Sequence, residues 1–182
     1  MLSQNPQPIA VNENGLVLCP VNDFTIFTGF SCGDTDLNDF IVNDAHAHAS
    51  ELVALSYALY LVDGKQLSPP LAFVSLLNDS VKIPRRVKQK IPRSCHYPTY
   101  PAVKIGRIGV RTEMQHKGLG HVLIAMVIDA LTRNRLTGCR LLTLDAYLCA
   151  THFYQRCGFQ FLTQEDANEK TRLMFLDLAR VR

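Results

Sequence analysis

The spacing of apolar side chains changes repeatedly along the chain, and each change marks an element. Residues 1–15, MLSQNPQPIAVNENG, are polar and broken by Pro6, Pro8 and Gly15, which reads as a loose arm. LVLCPV and FTIF follow as short β-prone pieces. In SCGDTDLNDFIVNDAHAHASELV the period lengthens: Leu37, Phe40, Ile41, Ala45 and Ala49 share one face of a helix that Asp34 or Thr35 would cap. SYALYLVDGK and PLAFVSLLND are rich in aromatic and aliphatic residues and read as neighbouring antiparallel strands. Residues 78–100 break the pattern with prolines that confine any helix to RRVKQKI, so they read as a long connection. AVKIGRIGV is a strand. Residues 118–135 carry the clearest helical stripe, with Leu119, Val122, Leu123, Met126, Val127, Ala130 and Leu131 at three- and four-residue spacing. CRLLTLDAY is a buried strand, CATHFYQRCGF a short helix closed by Gly158, and FQFL and TRLMFLDL are the last strands. The order is β, α, β, β, connection, β, α, β, α, β, β. It predicts one mixed α/β domain over residues 1–182, with helices packed on a sheet.

Composition agrees with a packed domain: 47% of the 182 residues are apolar and the formal charge is only +3. Cys19, Cys32, Cys95, Cys139, Cys149 and Cys157 form no C-x-x-C pair and stand at no zinc-finger spacing from a histidine, so no metal site is expected. The start of the chain lacks the basic and apolar regions of a signal peptide. The six are therefore expected to be reduced thiols of a cytoplasmic protein, mostly filling the core. No apolar run is long enough to span a membrane.

The chemistry concentrates where the strand AVKIGRIGV hands over to the long helix, in VRTEMQHKGLGHVL. Helix N-termini expose unpaired N–H groups and partial positive charge, and phosphates are their usual guests. Gly118 and Gly120 allow close approach of the main chain, while Gln115, His116 and Lys117 add donors and one full positive charge. The spacing is neither G-x-x-x-x-G-K-[ST] nor G-x-G-x-x-G. Glycine content alone leaves two readings open, a diphosphate cradle or a tight turn that only starts a helix.

Gln115, Gly118 and Gly120 form the Q-x-x-G-x-G arrangement, with Val110 ahead of it on the strand. Further on, Ala150, Phe153, Tyr154, Gly158 and Phe159 form A-x-x-F-Y-x-x-x-G-F. In that order, over residues 16–178, the chain resembles the GCN5-related N-acetyltransferase (GNAT) superfamily. The resemblance implies a mostly antiparallel sheet of six to seven strands, splayed between its fourth and fifth and flanked by helices. It also implies transfer of acetyl from acetyl-CoA, the cosubstrate, to a primary amine.

Within that resemblance, CoA would lie in the gap between KIGRIGV and RLLTLDA. The main chain at Ile108, Gly109 and Val110 would pair with the pantetheine, and Ile108 or Val110 would offer an N–H to the acetyl oxygen. Gln115, His116, Lys117, Gly118, Leu119, Gly120 and His121 would surround the diphosphate, with Asp145 and Phe153 also along the cofactor. Asp145 departs from the asparagine of many relatives and could touch the amine instead; His121 could be no more than a first-turn polar residue. Tyr154 matches the tyrosine that protonates the departing CoA thiolate, or else is an aromatic anchoring the short helix. Glu51, His96, Glu113 and His152 are base candidates by chemical type alone.

The acceptor stays open between a small-molecule amine and charged tRNA. FSCGDTDLNDFI, residues 30–41, and GRIGV resemble elements of the bacterial toxins that acetylate aminoacyl-tRNA. Lys82, Arg85, Arg86, Lys88, Lys90 and Arg93 would suit a phosphate backbone, or form an ordinary solvated face. An antitoxin and a second copy of the chain are further partners the family admits; no membrane partner is expected. An inactive CoA-binding module is the remaining alternative.

Overall fold

The computed structural model describes residues 7–64, 66–133, 137–167 and 169–181. The chain packs as two compact units, Met1–Leu77 with Gly106–Asn134 and Asn78–Ile105 with Arg135–Arg182.

The first unit holds β1 (Ala10–Val11), β2 (Leu16–Pro20), α1 (Thr35–Asp39), α2 (Ala45–Ser50), β3 (Leu55–Asp63), β4 (Gln66–Leu67) and most of β5 (Ala72–Val81). The second contains α3 (Arg85–Lys88) and the start of β6 (Tyr100–Val110). The end of β6 and α4 (Leu119–Arg133) belong to the first unit again; β7 (Leu141–Tyr147), α5 (Thr151–Arg156), β8 (Gln160–Phe161) and β9 (Thr171–Asp177) complete the second. The described residues form nine strands, two more than the expected order: β1 and β4, each two residues long, carry too little pattern to be seen in sequence. Of the stretch read as a loose arm, residues 1–6 lie outside the described residues, and Ala10 and Val11 pair with Leu18 and Val17.

Pairing is antiparallel for β1/β2, β2/β3, β3/β4, β3/β5, β7/β9 and β8/β9. Only β6/β7 is parallel among the described pairs, registered from Ala102↔Leu141 to Ile105↔Leu144. A parallel pair needs a crossover, and α4 lies in the connection that supplies it. The structure is therefore a mixed α/β fold with a mostly antiparallel open sheet and flanking helices, as expected.

FTIF is not a strand. Asp23 accepts from the Thr25 N–H at 2.9 Å and its hydroxyl at 2.7 Å, and this side-chain cap starts a 3-10 turn over Phe24–Phe27. The local cap overrides β propensity. The first helix is capped by Asp34, whose carboxylate accepts from the Leu37 N–H at 3.0 Å. A π-turn over Phe40–Asp44 then splits it into α1 and α2.

Phe27, Phe30 and Phe73 centre the first unit's core, packed edge to face at 5.5–5.9 Å between centroids. Cys19, Cys32, Phe40, Ile41 and Ala58 surround them. The helix α4 buries Leu119, Leu123, Ile124, Met126, Val127 and Ala130; Val122 and Leu131, expected in the stripe, are half-buried at its edge. The second unit's core gathers Val81, Tyr100, Ala102, Leu141, Leu162 and Phe175, together with Val87 and Ile91 from the basic connection. Those two anchors leave Lys82, Arg85, Arg86, Lys90 and Arg93 exposed. The cysteines correct the composition-based expectation: Cys19 and Cys32 fill core, Cys139 and Cys157 are half-buried, and Cys95 and Cys149 are exposed.

Gly109 has a packing role. A Cβ there would stand 2.6 Å from Phe73 Cε1 and 3.2 Å from Cys32 Sγ. Gly109→Ala is expected to lower stability by about 1–3 kcal/mol, the cost of overpacking a filled core. A urea midpoint equal to the wild type would contradict this.

Candidate active site

The strand β6 ends at Val110, and a 3-10 turn over Thr112–Met114 leads into residues 115–118. Here the main chain twists sharply. His116 has φ +59° and Gly118 φ +81°, and nothing stands within 4 Å of where a Gly118 Cβ would lie. Alternating left-handed residues turn successive N–H groups towards one side, the geometry of an anion nest. Among the described residues, the N–H groups of His116, Lys117, Gly118, Leu119 and Gly120 meet no acceptor; His121 and Val122 are the first to bond, both to the Gly118 carbonyl, at 3.0 and 3.2 Å. These amides open α4, so its dipole adds to the same positive potential. His116, Lys117 and His121 are exposed around the turn.

Gln115 acts differently from the expectation that it adds a donor for a ligand. Its side-chain amide spends both hydrogens on main-chain oxygens, Cys32 O at 2.8 Å and Val110 O at 3.0 Å. It is a strut under the turn. Thr112 adds a second tie, donating its N–H and hydroxyl to Ser31 O at 2.9 and 3.0 Å. Arg111 donates Nε to Pro70 O at 2.9 Å, with its guanidinium 5.1 Å from the Phe30 ring centre. The ties of Gln115 to Cys32 and of Thr112 to Ser31 join residues 83 and 81 positions apart, and that of Arg111 to Pro70 spans 41, so the sequence offers no signal for them beyond the SCGDTDLNDF element itself.

On the end of β6, Ile108 and Val110 are half-buried and Gly109 is buried against Phe73.

In the second unit, Tyr154 sits on α5 and is only 9% exposed. Its ring meets Phe153 at 4.9 Å and Phe159 at 5.8 Å, both edge to face. Gly158, at φ +92°, closes the helix: the Phe159 N–H donates to Tyr154 O at 3.0 Å and the Gly158 N–H to Gln155 O at 2.9 Å. This closure fixes the turn that carries the phenol. Burial, and secondarily the neighbouring Cys157, push the Tyr154 pKa up to about 12. The hydroxyl thus keeps its proton at neutral pH, and among the described residues it makes no hydrogen bond. Cys157 is itself pushed up to about 11 by burial, despite Arg156, and stays a thiol.

Asp145 is ion-paired to Lys104 at 2.6 Å, with its side chain 44% exposed. Glu51, His96, Glu113 and His152 are all exposed. His96 Nε2 is 2.9 Å from Ile91 O and donates to it, which occupies that nitrogen. No group of three His, Cys, Asp or Glu among the described residues is placed to hold a metal, and none of their helices is long and apolar enough to cross a membrane.

Residues 88–161, from α3 to the end of β8, match the family model described as Acetyltransferase (GNAT) domain. This stretch of the chain is similar to a GNAT acetyltransferase domain. The match covers less than half of the chain's length but includes both the glycine turn and Tyr154. No curated protein sequence matches this chain. Solved structures do. A mutant of KacT superposes with TM-score 0.73 at 24% identity, covering 92% of this chain and 97% of its own. AtaT complexed with acetyl-methionyl-tRNAfMet gives 0.71 at 21%, covering 91% and 96%. AtaTR bound with acetyl-CoA gives 0.68 at 20%, covering 92% and 96%. At these identities the likeness is one of fold.

Proposed function

We propose that this GNAT chain moves the acetyl group of acetyl-CoA onto the amino group of charged tRNA by direct attack in a ternary complex. The observation that carries the cosubstrate assignment is the run of unaccepted amides from His116 to Gly120 at the start of α4. A diphosphate would accept from them while Lys117 contributes charge. The pantetheine would extend along the β6 main chain at Ile108 and Val110.

The chemistry needs a neutral amine, an oxyanion donor and a proton for the leaving sulfur. The amine lone pair attacks the thioester carbonyl carbon, and negative charge moves to the acetyl oxygen, met by the N–H of Ile108 or Val110. The C–S bond then breaks. Tyr154 gives its proton to the CoA thiolate, and the proton lost from the new amide nitrogen goes to solvent and returns to the phenolate. The protonated, uncommitted hydroxyl of Tyr154 suits this role.

Charged tRNA is the favoured acceptor because Val87 and Ile91 pin the basic connection while its cations face outward. Such a face binds polyphosphate and gives a small amine nothing. AtaT has been solved with acetyl-methionyl-tRNAfMet and with the C-terminus of the antitoxin AtaR. By that likeness an antitoxin is a proposed partner here as well. The test is thiol release from acetyl-CoA with aminoacyl-tRNA, polyamines, aminoglycosides or peptides as acceptor. Release is expected with aminoacyl-tRNA alone and should weaken steeply with salt. Release with a small amine alone would refute the acceptor; acetyl-CoA binding without release would make the chain a binding module.

A further inference from the structure

The SCGDTDLNDF element resembles a toxin element, yet several of its side chains bond within the chain itself. Asp34 caps α1, Asp39 accepts from Asn43 at 2.6 Å, and Phe40 is buried with Arg107 5.3 Å from its ring centre. Asn38 is the residue whose partners lead elsewhere. Its Oδ1 accepts from the Cys32 N–H at 2.8 Å and its Nδ2 donates to Ser31 Oγ at 3.4 Å. Gly33, the residue after Cys32, has φ +82°, and its N–H donates to the same Ser31 Oγ at 3.3 Å. Asn38 therefore holds the Ser31–Cys32 peptide plane directly and, through Ser31 Oγ, the Cys32–Gly33 plane that follows.

The next plane, from the Cys32 carbonyl to the Gly33 N–H, carries the oxygen that supports the glycine turn. Cys32 N–H is held by Asn38, and Cys32 O accepts from Gln115 Nε2 at 2.8 Å. Gln115 immediately precedes the five unaccepted amides. The Ser31 carbonyl, one residue earlier, carries both bonds from Thr112. Removing the Asn38 amide would leave the Cys32 N–H without its acceptor and Ser31 Oγ without its donor, loosening both planes whose carbonyls hold Thr112 and Gln115.

We propose that Asn38 is a positioning residue for acetyl-CoA, acting through Cys32 and Gln115 to hold the amide-lined turn in its binding shape. This rests on the proposed cosubstrate and assigns the element to the cofactor side of the reaction, not to the acceptor. Asn38 touches neither substrate; its effect is on where the amides of residues 116–120 point.

The experiment is a double-mutant cycle read by calorimetric titration of acetyl-CoA. Asn38→Ala should raise the Kd about tenfold, the scale of one lost hydrogen bond. Gln115→Ala should raise it at least as much, and the double variant no further than Gln115→Ala alone. Asn38→Asp, which keeps the acceptor oxygen, should restore the Kd to within about twofold of wild type. If Asn38→Ala does not fold, Asn38→Ser takes its place, since its hydroxyl is too short to reach Cys32. Additive effects, or an unchanged Kd in folded Asn38→Ala or Asn38→Ser, would overturn the inference. A wild-type chain that does not bind acetyl-CoA would overturn the cosubstrate reading and this inference together.

Discussion

Tyr154→Phe should cut acetyl transfer by a factor on the order of 10²–10⁴ while leaving acetyl-CoA affinity within about twofold. The change removes one oxygen and keeps the ring, so the edge-to-face contacts with Phe153 and Phe159 survive and α5 should stay closed by Gly158. What is lost is the proton for the sulfur. Stopped assays of free thiol with aminoacyl-tRNA would give the rate, and calorimetry the affinity. A variant as fast as wild type would mean that Tyr154 only packs. The pH profile adds a second reading. With the Tyr154 pKa near 12, the acid keeps its proton across the assay range. The rate should rise as the acceptor amine loses its proton and should show no fall from loss of the acid below about pH 10. The same raised pKa has a stability consequence. An unfolded tyrosine releases its proton near pH 10, earlier than the folded one, so the contribution is intact below about pH 10 and is lost as pH climbs towards 12.

Phe73→Ala should cost about 3–5 kcal/mol, a large share of the 5–15 kcal/mol that holds a typical domain. Phe73 is fully buried and shares edge-to-face contacts with Phe27 and Phe30 at 5.9 and 5.7 Å. Deleting the ring leaves a void facing Gly109, whose hypothetical Cβ is 2.6 Å from Phe73 Cε1. Filling that void is therefore expected to help: Gly109→Ala, destabilising alone, should be neutral or mildly stabilising in the Phe73→Ala background. Urea titrations of the four proteins measure this coupling. Additive losses would show that Gly109 and Phe73 do not share the space.

The long elements were legible because their periodicity is strong and tertiary packing agrees with it. The stripe of α4 and the strands β3, β5, β6, β7 and β9 are of this kind. What failed to show was short or locally capped. FTIF has strand-like residues, but Asp23 supplies a side-chain acceptor that favours a 3-10 turn. The split of the first helix by a π-turn leaves its apolar face readable, so the sequence pattern gave no warning of it. At the site, the glycine turn was legible because its residue types are dictated by main-chain geometry. The use of Gln115 was not, since its partner Cys32 O is a main-chain atom distant in sequence and any residue could have supplied it. Asp145 illustrates the same limit. Its chemical type was visible, but its pairing with Lys104 depends on the diagonal neighbour that the β6/β7 register provides.

The proposed acetyl transfer depends on main-chain N–H groups at the start of α4 receiving a diphosphate. Calorimetry with acetyl-CoA and with S-acetylpantetheine, which keeps the thioester arm but lacks the diphosphate and the 3′-phosphoadenosine beyond it, tests that contact. Two or more charge-assisted hydrogen bonds of roughly 1.5 kcal/mol each correspond to at least about a hundredfold difference in Kd. Acetyl-CoA binding tighter by that factor is the expected result. Equal affinity for the two compounds, or no binding of acetyl-CoA, would contradict it.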